Sequence, residues 1–170
     1  MDYSEKKELV WKMIEQKPFE GDWVDLGLQS GTLWKCSNET NPNDNNDFHT
    51  YDGAMRKFGA QLPTKEQWEE LQDKCLWTWT GNGYNVVGPN DNSIFLPAAG
   101  YRGFDRWVYE VGSDGDYWSS EPRNSLYSYS CEFNRLEIGV YSNNRCYGMS
   151  VRLVKKCWRS PGLKIFQYLI

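Results

Sequence analysis

The chain carries a single histidine, His49, in 170 residues. Its five cysteines, Cys36, Cys75, Cys131, Cys146 and Cys157, are odd in number and form no Cys-x-x-Cys pair. One imidazole and no paired thiols exclude a zinc centre of Cys and His. The cysteines read as buried free thiols, with a Cys131–Cys146 bridge as the alternative. No apolar run reaches the ~18 residues of a membrane-spanning helix, so no membrane insertion is expected. The first residues, MDYSEKKELVWKM, put acids and lysines where a leader would be apolar, so no signal peptide is expected. Positive charge is not in excess: 19 basic residues face 23 acidic ones, for a net charge of -4. Nucleic-acid binding through phosphates needs a concentrated basic surface and is not expected.

What the chain has in plenty is rings. Nine Trp, eleven Tyr and seven Phe make up 16% of it, with fifteen Gly and seven Pro between them. Mean hydropathy is -0.75. The length fits one domain, with many turns, few long helices and a core of large rings.

Local patterns set the elements. Ser4 caps an expected helix over 4–16, which Pro18 stops. Two short strands flank a Ser30-Gly31 turn. A helix is expected over Tyr51–Phe58, capped by Thr50 and ended by Gly59. The next helix begins at the Thr64/Gln67 capping box behind Pro63, turns Trp68 and Leu71 inward, and ends near Lys74. From Cys75 onward, short runs alternate with turn signals every eight to twelve residues. Strands are expected at 76–79, 84–87, 94–96, 107–111, 117–119, 126–133, 138–141 and 149–154. Helices first and strands later, without βαβ alternation, give an α+β class. Three regions follow: an N-terminal helical extension at 1–20, a domain at 21–156 and an apolar tail at 157–170. The two ends either pack on each other or form a contact between copies of the chain, making a homo-oligomer.

Five phrases stand in order: VDLGLQSGTLW (24–34), LPTKEQWEEL (62–71), IFLPAAGYR (94–102), GDYWSS (115–120) and YGMSVRLV (147–154). Together they resemble the Fibrobacter succinogenes major paralogous domain family, over roughly residues 22–155. That family is related to the formylglycine-generating-enzyme-like branch of the C-type lectin fold, which also holds the variable proteins of diversity-generating retroelements. The resemblance implies a C-type lectin-like α+β domain: small twisted antiparallel sheets with two helices and long loops. It implies that Trp23, Trp34, Trp68 and Trp118 are core. Residues 150–152 would lie on a closing strand paired near the N-terminus, with Arg152 bonded to backbone carbonyls or to Asp25. Trp77, Trp79 and Trp107 are less constrained, and one of them on the surface would stack on a sugar ring.

Catalytic chemistry has little support. His49 reads as a solvated loop residue, and no local motif marks a nucleophile. Cys131 and Cys146 lie where formylglycine-generating enzymes keep a cysteine pair, but without those enzymes' sequence context. Residues 41–47, NPNDNND, offer hard oxygens for calcium but without EF-hand spacing, and Asn and Asp equally build plain turns. Glu121-Pro-Arg-Asn124 resembles the sugar loop of calcium-dependent lectins, without its Trp-Asn-Asp partner, and Glu121 reads as a loop residue. The chain is therefore expected to be no enzyme and to hold no metal or cofactor.

Residues 124–147 are the richest stretch: Asn, Ser and Tyr fill 12 of 24 positions. Tyr supplies contact area at low entropy cost, and Ser and Asn supply adaptable hydrogen bonds. Alternation puts Tyr127, Tyr129, Cys131 and Phe133 on one face, expected in the core, and Ser128, Ser130, Glu132 and Asn134 on the other. That second face, with Asn124, Tyr141, Asn143, Asn144, Arg145 and Tyr147, is the candidate ligand surface. The competing reading is an ordinary sheet with one wet face. The leading expectation is a recognition module of the retroelement variable-protein kind, binding a protein or carbohydrate on a cell or virion surface. A structural or adhesin-like surface module without a hypervariable site is the alternative, and a formylglycine-generating-type oxidase is the third.

Overall fold

The computed structural model of the protein describes residues 22–156. The expected helix at 4–16, Cys157 and the apolar tail lie outside the described residues.

Two helices form where their caps dictate. Helix α1 spans Tyr51–Phe58; the Thr50 side chain accepts the Gly53 amide, and Gly59, at φ 50°, ends it. A 3₁₀ turn at Gly59–Gln61 leads to α2, Lys65–Lys74. There the Thr64 hydroxyl accepts from the Gln67 amide and the Gln67 side chain accepts from the Thr64 amide. The reciprocal pair satisfies two amides that a helix start otherwise leaves open.

Eleven short strands complete the described fold. These are β1 (Trp23–Asp25), β2 (Thr32–Lys35), β3 (Leu76–Trp79), β4 (Gly83–Val87), β5 (Ser93–Pro97), β6 (Tyr101–Arg102), β7 (Val108–Tyr109), β8 (Asp114–Pro122), β9 (Tyr127–Asn134), β10 (Ile138–Asn144) and β11 (Val154–Lys156). They make four antiparallel sheets, ordered β1-β2-β11, β3-β4-β5, β10-β9-β8 and β6-β7. The expected α+β, C-type lectin-like assignment is thereby corrected. The described residues are mostly β, with four separate small sheets and only two short helices. Among the described residues, helices of eight and ten residues are too little to form a helical layer.

Rings fill two cores. The larger packs Trp34, Trp68, Tyr117 and Phe133 among aliphatic side chains between α2 and the sheets. Trp34 and Trp68 lie 4.8 Å apart, centroid to centroid. The smaller gathers Tyr51, Leu62, Trp118, Met149 and Val151. Trp118 donates its Nε1 hydrogen to the His49 carbonyl at 2.8 Å, so its one polar atom is satisfied inside. Trp23 is only half-buried, with Lys155 4.6 Å from its ring centroid.

The closing strand is shorter than expected. Residues 148–154 are all buried, and their backbone bonds go to several elements in turn. Met149 exchanges bonds with His49, Ser150 donates to the Asp116 carbonyl, and the Val151 and Leu153 carbonyls accept from Glu39 and Lys35. A segment enclosed on both sides reads as a strand in sequence, but only Val154–Lys156 joins a ladder, against β2. Arg152 fills the gap between these elements. It donates to Asn38 Oδ1 (2.9 Å), the Lys35 carbonyl (2.8 Å) and the Phe95 carbonyl (2.7 Å). Backbone carbonyls and Asn38, not Asp25, hold its guanidinium in these bonds.

Two smaller expectations are corrected by burial. His49 is 4% exposed rather than solvated, because 148–150 pairs over it. Burial holds its imidazole below the ordinary value. Of the thiols, Cys131 is buried and Cys75 half-buried, but Cys36 and Cys146 are exposed, and all four are free. Among the described residues no helix is long and apolar enough to cross a membrane.

Candidate functional site

The expected alternation along β9 holds only for its second half, and the second face is not the wet one; Tyr129 is half-buried and lies outside both cores. Cys131 and Phe133 enter the larger core. Tyr127, expected beside them, is 41% exposed because β9 runs past the core's edge. On the other face Ser128 and Ser130 have no exposure at all. Ser130 stands opposite Trp118, Tyr51 packs edge-on to Trp118, and Tyr51 lies against Ser128. Helix α1 thus roofs the end of the face that was expected to meet a ligand.

Most of the remaining candidates are occupied by local structure. Asn124 Oδ1 accepts the Leu126 and Tyr127 amides, Asn134 Oδ1 those of Leu136 and Glu137, and Asn144 Oδ1 that of Cys146. These are turn-forming asparagines. Arg145 pairs with Asp52, stacks 4.8 Å over the Tyr51 ring and donates to the Ser125 carbonyl. Asn143 donates to Ser130 (3.0 Å) and to Glu132, and Ser130 also donates to Glu132 (2.9 Å). Tyr141, 45% exposed, and half-buried Tyr147 keep open ring surface, but they line different depressions.

Tyr147 belongs to a cluster of rings. It lies 5.4 Å from Tyr101 and 4.7 Å from Phe104, and Tyr101 stacks on Tyr109 at 5.5 Å. Phe104 (63%) and Tyr109 (40%) are exposed around a depression of about 260 Å³, and Trp107 (72%) is exposed on the same stretch of chain, outside the lining of the depression. The platform is held rigidly. Asp105 accepts the Trp107 amide and the Tyr109 hydroxyl, and the Tyr109 bond holds its carboxyl below the usual range. Arg106 (φ 68°) and Glu110 (φ 61°) flank β7 in the left-handed region. Such conformations are costly for residues with side chains and persist where the surroundings impose them. Gly100 (φ 71°) makes the approach possible, since a Cβ there would fall 1.9 Å from the Tyr109 carbonyl.

Beside the rings opens a polar cleft of about 640 Å³, lined by Asn43, Asn45, Asn46, Arg102 and Arg106. Asp44 pairs with Arg102. The 41–47 oxygens are turned inward: Asp47 accepts the Asn41 amide, Asn41 the Asn43 amide and Asp44 the Asn46 amide. Glu121 likewise has a local task, accepting the Lys65 amide (2.5 Å) at the start of α2 and the Ser119 hydroxyl (2.7 Å).

The family model of a domain of unknown function, DUF8237, matches residues 63–154. The chain belongs to this family. No curated protein and no solved structure matches it. The DUF8237 match runs from the entry of α2 to the first residue of β11, so it contains the whole ring platform. Sequence reasoning missed Phe104 and Tyr109 and left Trp107 unassigned. The signal available was three large rings within GFDRWVY, a polar, turn-rich stretch with no apolar periodicity to bury them.

Proposed function

We propose that this DUF8237 protein is a recognition module, not an enzyme, and that it binds a glycan on a cell or virion surface through Phe104, Trp107, Tyr109 and Tyr147. The observation that carries this reading is the exposure of Phe104, Trp107 and Tyr109 on a stretch braced by Asp105, with half-buried Tyr147 packed against Phe104. Aromatic faces offer a sugar ring apolar contact, and the adjoining Asn and Arg side chains offer hydrogen bonds to hydroxyls. A protein ligand is the second reading, favoured by exposed Trp107 near the Tyr and Arg side chains that line the two depressions, residue types that mark protein hot spots.

The variable-protein reading goes with this proposal in narrowed form. Exchange of side chains has room at exposed Asn124, Ser125, Tyr127 and Tyr141, and none at Ser128 and Ser130. A fixed set at the exposed positions makes the chain the adhesin-like alternative. The oxidase reading has poor support: Cys131 is 1% exposed, and burial pushes its thiol far up, away from a reactive thiolate.

A glycan array probed with the chain and with Trp107→Ala tests the proposal. Bound glycans that lose about tenfold or more in affinity with Trp107→Ala, at an unchanged Tm, support it. Equal binding by Trp107→Ala and Phe104→Ala places the site elsewhere. A blank array with a protein captured through the same rings selects the second reading.

A further inference from the structure

The open end of the β8–β10 sheet has a different chemistry from the ring platform. A cavity of about 180 Å³ there is lined by the carboxylates of Glu110, Asp114, Asp116, Glu132 and Glu137. Among the described residues no lysine or arginine lines it. Asp116 is only 7% exposed, and its Oδ2 finds no hydrogen-bond donor among the described residues. A buried carboxylate oxygen without a donor is costly, and a donor arriving from outside removes that cost.

The cavity limits what that donor can be. Among the described residues no three His, Cys, Asp or Glu side chains are placed to hold a metal ion, so the carboxylates surround a space rather than converge on a point. The volume is below the ~300 Å³ of whole-ligand pockets and suits the end of one side chain. Phe133 and Tyr141 add ring surface to the wall, which suits an aliphatic stem and a cationic head. We propose that this cavity receives one cationic side chain, a lysine ammonium or an arginine guanidinium, from a partner protein.

Protonation couples to this binding. Burial, then Glu132, Glu110 and Asp114, push the Asp116 carboxyl up to about 7. Burial likewise raises Glu132, opposed by its bonds from Ser130 and Asn143. Among the described residues, Glu137 in the β9–β10 turn, Tyr141 on β10, Tyr101 on β6 and Cys131 on β9 are the further titratable groups around it. An entering cation favours ionised Asp116, so affinity rises with pH through neutrality.

The test is an NMR titration of the full chain with N-acetyl-arginine methylamide and N-acetyl-lysine methylamide. The neutral citrulline analogue serves as shape control, and spermidine as a free amine. The expected result is saturable shifts at Asp116 and Glu132 with at least one cationic residue. Binding should be about tenfold weaker for citrulline, for Asp116→Asn, and at about pH 5.5 relative to about pH 8. Glu137→Gln, at the exposed rim, should weaken the cation by a smaller factor and covers the case in which the Asp116 variant does not fold. Trp107→Ala should leave the titration unchanged, which separates this site from the glycan reading. Equal binding of citrulline, or no saturation with either capped residue, overturns the proposal. Tighter binding of spermidine than of both capped residues overturns the partner-protein assignment.

Discussion

Asp116 on β8 and Glu132 on β9 are direct cross-strand partners. Two carboxyl groups thus share one face of a ladder beside a cavity that, among the described residues, has no basic lining residue. Like charges in this position destabilise a sheet, and the pair is a place where stability is given up.

The sign of its pH dependence follows. The Asp116 carboxyl lies near 7 in the folded chain, against an ordinary value of 3.8. The folded state therefore holds the proton more tightly than the unfolded one. Its contribution is most favourable below about pH 4 and is lost as pH rises through 7. Asp116→Asn should raise stability by ~2 kcal/mol at about pH 8 and change it little at about pH 4. Urea unfolding at the two pH values checks this; equal effects at both would refute it.

Arg152 predicts the opposite outcome. It is 1% exposed and donates to three oxygens, two from residues 35–38 and one from β5. Arg152→Ala leaves those acceptors without their donor and should cost about 3 kcal/mol. Arg152→Lys keeps the charge but not the fork, and should recover less than half of that loss. The shift of the urea midpoint measures both.

Glu121 caps α2 from a distant strand. Glu121→Ala removes the acceptor for the Lys65 amide, while the Thr64–Gln67 box remains. The expected loss is about 1 kcal/mol. Thermal unfolding in chelator should match that in buffer for both proteins, because this carboxylate acts on a backbone amide.

Side-chain exchange in 124–147 should divide by burial. Ser130→Tyr forces a ring into the space beside Trp118 and should cost about 3 kcal/mol or prevent folding. Tyr141→Ser, at a site 45% exposed, should move stability by less than about 0.5 kcal/mol. Comparable Tm losses for the two would contradict the described burial.

Several features were legible because their causes are local. Thr50 and Gly59 bound α1, and the Thr64/Gln67 box starts α2, through atoms three or four residues apart. Strand β3 falls at Leu76–Trp79, and along β9 alternation placed Cys131 and Phe133 in the core but not Tyr127 and Tyr129. The site was less legible. Alternation says which side chains share a face but not whether that face is covered. Ser128 and Ser130 are buried by Tyr51 and Trp118, neither a neighbour along β9. The asparagines that resemble ligand contacts bond to amides two or three residues ahead.

By itself the sequence determined the caps, the turns and the ring-built core, because hydrogen bonds over three or four residues and hydrophobic burial depend on residue type and spacing. The tertiary structure alone decided which rings stay in water and where charge collects. Phe104 and Trp107 are open because the strained 103–110 turn lifts them off the core. Asp116 and Glu132 are neighbours only because β8 and β9 pair in that register, and register, with what packs above it, is set by contacts far apart in the chain.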